Sequence, residues 1–148
     1  TSTRIVTAVQ ACIALLDTLT RAQVATSVLT FGGTVAVQKP FDAPVKRGID
    51  ALRQVAEAGG TQDYFAVRYA HKLLLNRPEQ RKICFVLTDG DGQVSKTREQ
   101  VQIGERLGIT TIGLGIEHFV GHVYSQHCSV RDLSELGAVS FKQIKLAA

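Results

Sequence analysis

Ile83-Cys84-Phe85-Val86-Leu87 is an unbroken apolar run, and Thr88-Asp89-Gly90-Asp91-Gly92 follows it directly. The run has the length of a strand and lacks polar alternation. That pattern suits a parallel strand covered on both faces, with the Thr-Asp-Gly segment as the loop at its carboxyl end.

Upstream, Tyr64, Val67, Ala70, His71 and Leu74 recur at helical spacing. A helix is therefore expected to open at Thr61-Gln62-Asp63 and to stop before Pro78. Another is expected over Val45–Ala58, with Ile49, Leu52, Val55 and Ala56 inward and Gly59-Gly60 ending it. Val24–Phe31 and Thr34–Gln38 read as two strands of a hairpin closed by a tight Gly32-Gly33 turn. At the start, Ile5, Val6, Val9, Cys12, Ile13, Leu15, Leu16 and Leu19 give a first helix one apolar face, with hydroxyl caps from Thr1-Ser2-Thr3.

Downstream, a polar helix is expected over Thr97–Leu107 and Gly108 ends it. Thr110–Leu114 is the next buried strand, Asp132–Gly137 a short final helix and Val139–Ile144 a last strand or tail. Strands alternating with helices indicate an α/β fold with a mostly parallel sheet sandwiched by helices and right-handed crossovers.

The chain has 148 residues, enough for one domain with a single core. No apolar run approaches the roughly 20 residues of a membrane helix. Net charge is +4, but the basic residues are scattered and never interleaved with aromatics. A nucleic-acid footprint would be more concentrated, so no nucleic-acid partner is expected. Cys12, Cys84 and Cys128 make an odd set without a CxxC pair, which reads as reduced thiols of a cytoplasmic protein. Methionine is absent and a helix begins almost at Thr1, so the chain reads as a single domain, residues 1–148, cut from a longer protein.

In an open parallel sheet, ligands bind at the carboxyl ends of strands. Two glycine-bearing loops are expected at that edge, Gly59-Gly60-Thr61-Gln62-Asp63 and Thr88-Asp89-Gly90-Asp91-Gly92. Their hydroxyl and carboxylate oxygens suit Mg²⁺ or Mn²⁺. Local explanations compete: Thr61 as a helix cap, Asp63 as a charge favourable to the helix dipole, Asp89 and Asp91 as turn residues.

A Gly-Gly-Thr loop opening a helix, an apolar strand ending in Thr-Asp-Gly, and the later strand Thr110-Thr111-Ile112-Gly113-Leu114-Gly115 together resemble the von Willebrand factor A (VWA) family. The resemblance implies a Rossmann-like fold and a metal-ion-dependent adhesion site. Thr61 and Asp89 would hold the cation, and a carboxylate from a protein partner would complete its coordination. The family's first strand, central in its sheet, ends in Asp-x-Ser-x-Ser, and no such motif occurs here. That strand is expected upstream of Thr1, and the chain alone is expected to hold a cation weakly or not at all. The segments Gly115-Ile116-Glu117-His118, Val123-Tyr124 and Val130-x-Asp132-x-x-Glu135-Leu136-Gly137 resemble the carboxyl-terminal domain of CobT-type cobaltochelatase subunits. This implies an AAA+ ATPase partner of the chelatase or MoxR type.

Two other readings compete. The Asp-Gly-Asp-Gly loop is similar to that of haloacid-dehalogenase-type phosphatases, in which Asp89 would be the nucleophile and Asp91 the general acid/base beside Mg²⁺. That loop normally follows the first strand of its domain, unlike here. His118, His122, His127 and Cys128 cluster in one segment, but without a zinc-site frame they read as a polar loop that contacts a partner.

Overall fold

The apolar run at 83–87 forms the middle of a strand in the computed structural model, which describes residues 2–31, 34–54, 63–88, 94–115, 123–124 and 126–129. In chain order the elements are α1 (Ser2–Arg21), β1 (Val28–Thr30), β2 (Ala36–Lys39), α2 (Val45–Arg53), α3 (Asp63–Leu75), β3 (Lys82–Thr88), α4 (Val94–Arg106), β4 (Ile109–Gly115) and β5 (Gln126–Ser129). Strands β3, β4 and β5 lie side by side in that order, all parallel, with Cys84 opposite Thr111 and Gly113 opposite His127.

Side-chain alternation gives this sheet two apolar faces. Ile83, Phe85 and Ile112 pack beneath α1, against Ala11, Leu15 and Leu19. Cys84, Val86 and Ile109 face the other way, into a core with Val67 of α3, Val101 of α4, Val123 and Tyr124. Helices therefore cover both faces, and the chain has the expected α/β architecture.

Strands β1 and β2 form a separate antiparallel sheet. Among the described residues no strand lies between this hairpin and β3, which is the outer strand of its own sheet. Helix α3 touches both β1 and β3, and Phe31, just after β1, packs into the α3-side core. The layers are thus shared while the backbone ladder is broken, as expected of a sheet lacking one central strand.

Several boundaries differ from the sequence-based expectation. Strand β1 begins at Val28 because the residues before it close α1. Gln23 takes φ 61°, and the Val24 N–H donates to the Leu19 carbonyl, a left-handed helix stop that occupies the start of the expected strand. The hairpin pairs Thr30 with Ala36, so residues 31–35 make the connection and the turn is longer than a two-residue Gly-Gly link. Helix α2 stops at Arg53 instead of Ala58, its last turn tightened as Gln54 N–H donates to Ala51. Residues 126–129, expected as polar loop, form β5. The helix and strand expected within 132–144 lie outside the described residues.

Lys39, 3% exposed, ties the hairpin down. Its Nζ donates to the carbonyls of Thr26, at 2.5 Å, and Pro40, at 3.2 Å. Burial lowers its pKa, and the charge of Asp42 opposes the shift.

Candidate functional site

Helices α3 and α4 run parallel and start together at the carboxyl edge of β3 and β4. Lys96, in the first turn of α4, stands 5.9 Å from the ring centroid of Tyr64, in the first turn of α3. Two turns further on, the His71 imidazole meets Gln100 of α4 at 3.1 Å and Thr111 of β4 at 2.7 Å. Strand β3 ends at Thr88, opposite Gly115, the last residue of β4. Two helix amino termini and two strand ends therefore share one edge, where backbone N–H groups and the helix dipoles favour negative charge.

Asp63 opens α3 and is 5% exposed. The sequence places it as a charge suited to the helix dipole, and its position agrees; its burial is a tertiary result. Tyr124, 1% exposed, lies close enough that Asp63 acts on it electrostatically. Burial raises the Tyr124 pKa most, and the negative charge of Asp63 and then Cys84 add to it. The phenol is therefore neutral across the physiological range. Gly113 makes room for this ring: a Cβ there would sit 2.5 Å from Tyr124 Cδ2. Tyr124 was not singled out as a site residue from the sequence. The signal available was the glycine at 113, which leaves a strand position without a side chain.

Thr61 and Asp89, the two expected cation ligands, lie outside the described residues, as does Asp91. The described residues that flank them, Asp63 and Thr88, belong to the shared edge. Of the histidine cluster, His118 and His122 also lie outside the described residues, while His127 and Cys128 are in β5. Among the described residues no group of three or more His, Cys, Asp or Glu side chains is placed to hold a metal ion. Cys12 and Cys84 are free thiols, and burial pushes each up to about 12, so both remain protonated. No helix among the described residues is long and apolar enough to cross a membrane.

The family model for the von Willebrand factor type A domain matches residues 1–92. No curated protein matches the chain by sequence. Among solved structures, the chain is similar to the conserved hypothetical protein BatB from Bacteroides thetaiotaomicron. The TM-score is 0.79 at 16% identity, over 97% of this chain and 88% of that one. It is similar to an aerotolerance-related membrane protein from Bacteroides fragilis, with TM-score 0.76 at 13% identity over 93% and 88% of the two chains. The SpRpn10 VWA domain aligns with TM-score 0.68 at 12% identity over 88% and 79%. At these identities the likeness is one of fold.

Proposed function

Because the chain belongs to the von Willebrand factor type A domain family, we propose that it is a protein-interaction module whose grip on a partner depends on a divalent cation. The observation that carries this reading is the shared edge: α3 and α4 open side by side where β3 and β4 end. Thr61 supplies a hydroxyl from the loop before α3, and Asp89 a carboxylate from the loop after β3. Hard oxygen donors in glycine-rich turns fit Mg²⁺ or Mn²⁺, which keep part of their water shell. A carboxylate of the partner protein fills a remaining position.

The assembly that this module serves is one with an AAA+ ATPase, of the metal-chelatase or MoxR type, in the cytoplasm. The resemblance of the tail to CobT-type subunits supports that choice. The phosphatase reading of Asp89 and Asp91 is not favoured, because β3 follows a hairpin and three helices. The module turns over no substrate, so an aryl phosphate stays intact in its presence.

Calorimetric titration of Mg²⁺ or Mn²⁺ into the protein, alone and with a glutamate-bearing peptide, tests the reading. Saturable heat is expected, tighter with peptide present, weakened by Thr61→Ala and abolished by Asp89→Ala. Absence of any cation-dependent heat in both settings overturns it.

A further inference from the structure

Thr61 and Asp89 reach the shared edge from different elements. Thr61 stands two residues before α3, and Asp89 directly follows Thr88 at the end of β3. The distance between their oxygens therefore depends on how far along the sheet α3 lies. Strand β3 is fixed to β4 by a full ladder. Helix α3 meets the sheet in a core of Val67, Cys84, Val86 and Ile109, with Ala70 and Leu74 packed against it. Apolar contacts of this kind carry no direction. Packed helices can shift by about 1–2 Å, and by as much as one turn, without losing them.

His71 supplies the missing direction. Its ring meets Thr111 of β4 at 2.7 Å through Nε2 and Gln100 of α4 at 3.1 Å through Nδ1. Gly104 lets the ring lie against α4, since a Cβ there would collide with it. A slide of α3 along the sheet breaks a buried hydrogen bond, a cost that the apolar contacts do not impose. A divalent cation such as Mg²⁺ demands oxygens at about 2.0–2.1 Å in near-octahedral array, so its site must be held to within about 0.5 Å. We infer that His71 is a positioning residue for the cation edge: by tying α3 to β4 and α4, it holds Thr61 at the distance from Asp89 that one divalent cation spans. The inference rests on the reading of that edge as a cation site. His71 itself touches no ligand, being about 12 Å of helix away from the first residue of α3.

The probe is Mn²⁺, followed by loss of its free electron-spin-resonance signal, with the full chain and the glutamate-bearing peptide present. His71→Leu with Thr111→Val replaces both hydrogen-bonding partners by apolar groups, an exchange that buried polar pairs commonly tolerate without unfolding. Half-buried Gln100 can then turn to water. The double variant is expected to keep its circular dichroism while its Mn²⁺ affinity falls by about tenfold or more. His71→Gln, whose amide can still donate to Thr111, is expected to stay within about threefold of the unsubstituted protein. Ile112→Val, on the opposite face of the sheet, is expected to lower the melting temperature and leave Mn²⁺ affinity unchanged, which separates position from stability. Thr111→Val alone is read in the same way should the double variant fail to fold. A folded variant lacking the His71–Thr111 bond that binds Mn²⁺ like the unsubstituted protein overturns the inference, as does an equal loss of affinity in Ile112→Val. Absence of Mn²⁺ binding by the unsubstituted protein sinks the cation reading and this inference together, whereas binding that is blind to His71 sinks this inference alone.

Discussion

The imidazole of His71 and the hydroxyl of Thr111 are 2.7 Å apart in the interior, where they join α3 to the middle of β4. His71 is 2% exposed and Thr111 fully buried. On the other side of the ring, Gln100 of α4 meets Nδ1 at 3.1 Å. The Gln100 amide donates to Nδ1, so Nε2 carries the proton and donates to Thr111. One neutral histidine thus satisfies polar groups from two helices and a strand.

Burial pushes the pKa of His71 down to about 4, from an ordinary 6.5. The folded value lies below the unfolded one, so folding favours the neutral ring. That stability is fully present above pH 6.5 and is lost as pH falls toward 4, because the unfolded chain takes up the proton first. Urea melts are expected to lose up to about 3 kcal/mol across this window. Carboxylates contribute their own slope at its acid end, so the comparison is with His71→Gln, whose loss between pH 7 and 5 is expected to be much smaller. Parallel curves for the two proteins would count against a neutral buried ring.

Gly104 lies against the same ring. A Cβ at 104 would approach His71 Nδ1 to 2.7 Å, with β4 backing the ring. Gly104→Ala is expected to destabilise by about 1–3 kcal/mol, as overpacking does in a close-packed interior. In a double-mutant cycle with His71→Ala the penalty shrinks, because the clashing ring is gone. Additive effects in thermal unfolding would show that the glycine matters for another reason.

Gly113 and Tyr124 make a second such pair. Gly113→Ala is expected to cost a similar amount, about 1–3 kcal/mol. It also displaces the phenol from Asp63, so tyrosine fluorescence should change along with the melting temperature. A stability loss with an unchanged spectrum would indicate strain in β4 alone.

Ile112 is fully buried and packs against α1 through Ala11 and Leu15. Ile112→Ala is expected to cost about 2–5 kcal/mol and Ile112→Val about 0.5–1.5 kcal/mol. Amide exchange in α1 should rise more than in α3, which packs on the opposite face. Equal acceleration in both helices would mean the two faces open as one unit.

The outer edge of β3 leads to a fifth expectation. Its ladder to β4 runs the full strand, from Lys82 opposite Ile109 to Thr88 opposite Gly115, while no described strand pairs its other side. Hydrogen exchange should be slow at β3 amides that bond to β4 and faster at the alternate ones, despite cover from α1 and α3. Uniform protection along β3 would mean that its outer edge is paired in solution.

Much of the fold was legible from local pattern. The run at 83–87 marked a strand buried on both faces, and helical spacing of Val67, Ala70, His71 and Leu74 marked the inner side of α3. Gly108, at φ 85°, stops α4 as expected. Of the site, the sequence indicated the loops by composition, and the structure describes their flanks: Asp63 at the start of α3 and Thr88 at the end of β3. It did not reveal the burial of Asp63, or Tyr124 beside it, because Tyr124 is buried by residues distant in the chain, among them Val67, Val101 and Gly113.

The amino acids by themselves determined the helices and the apolar strands β3 and β4, and which face of each helix is apolar, since periodicity and turn residues act between covalent neighbours. Only the tertiary structure decided the partners. Polar residues 126–129 became β5 because the free edge of β4 pairs with them from Ile112 to Gly115. Residues 24–27 left the hairpin because the end of α1 drew Val24 into its cap. Among the described residues the hairpin and the three-stranded sheet share no ladder and meet instead through α3 and Phe31. Backbone hydrogen bonding is the same for every sequence, so its partners are settled by which edges the packed layers bring together.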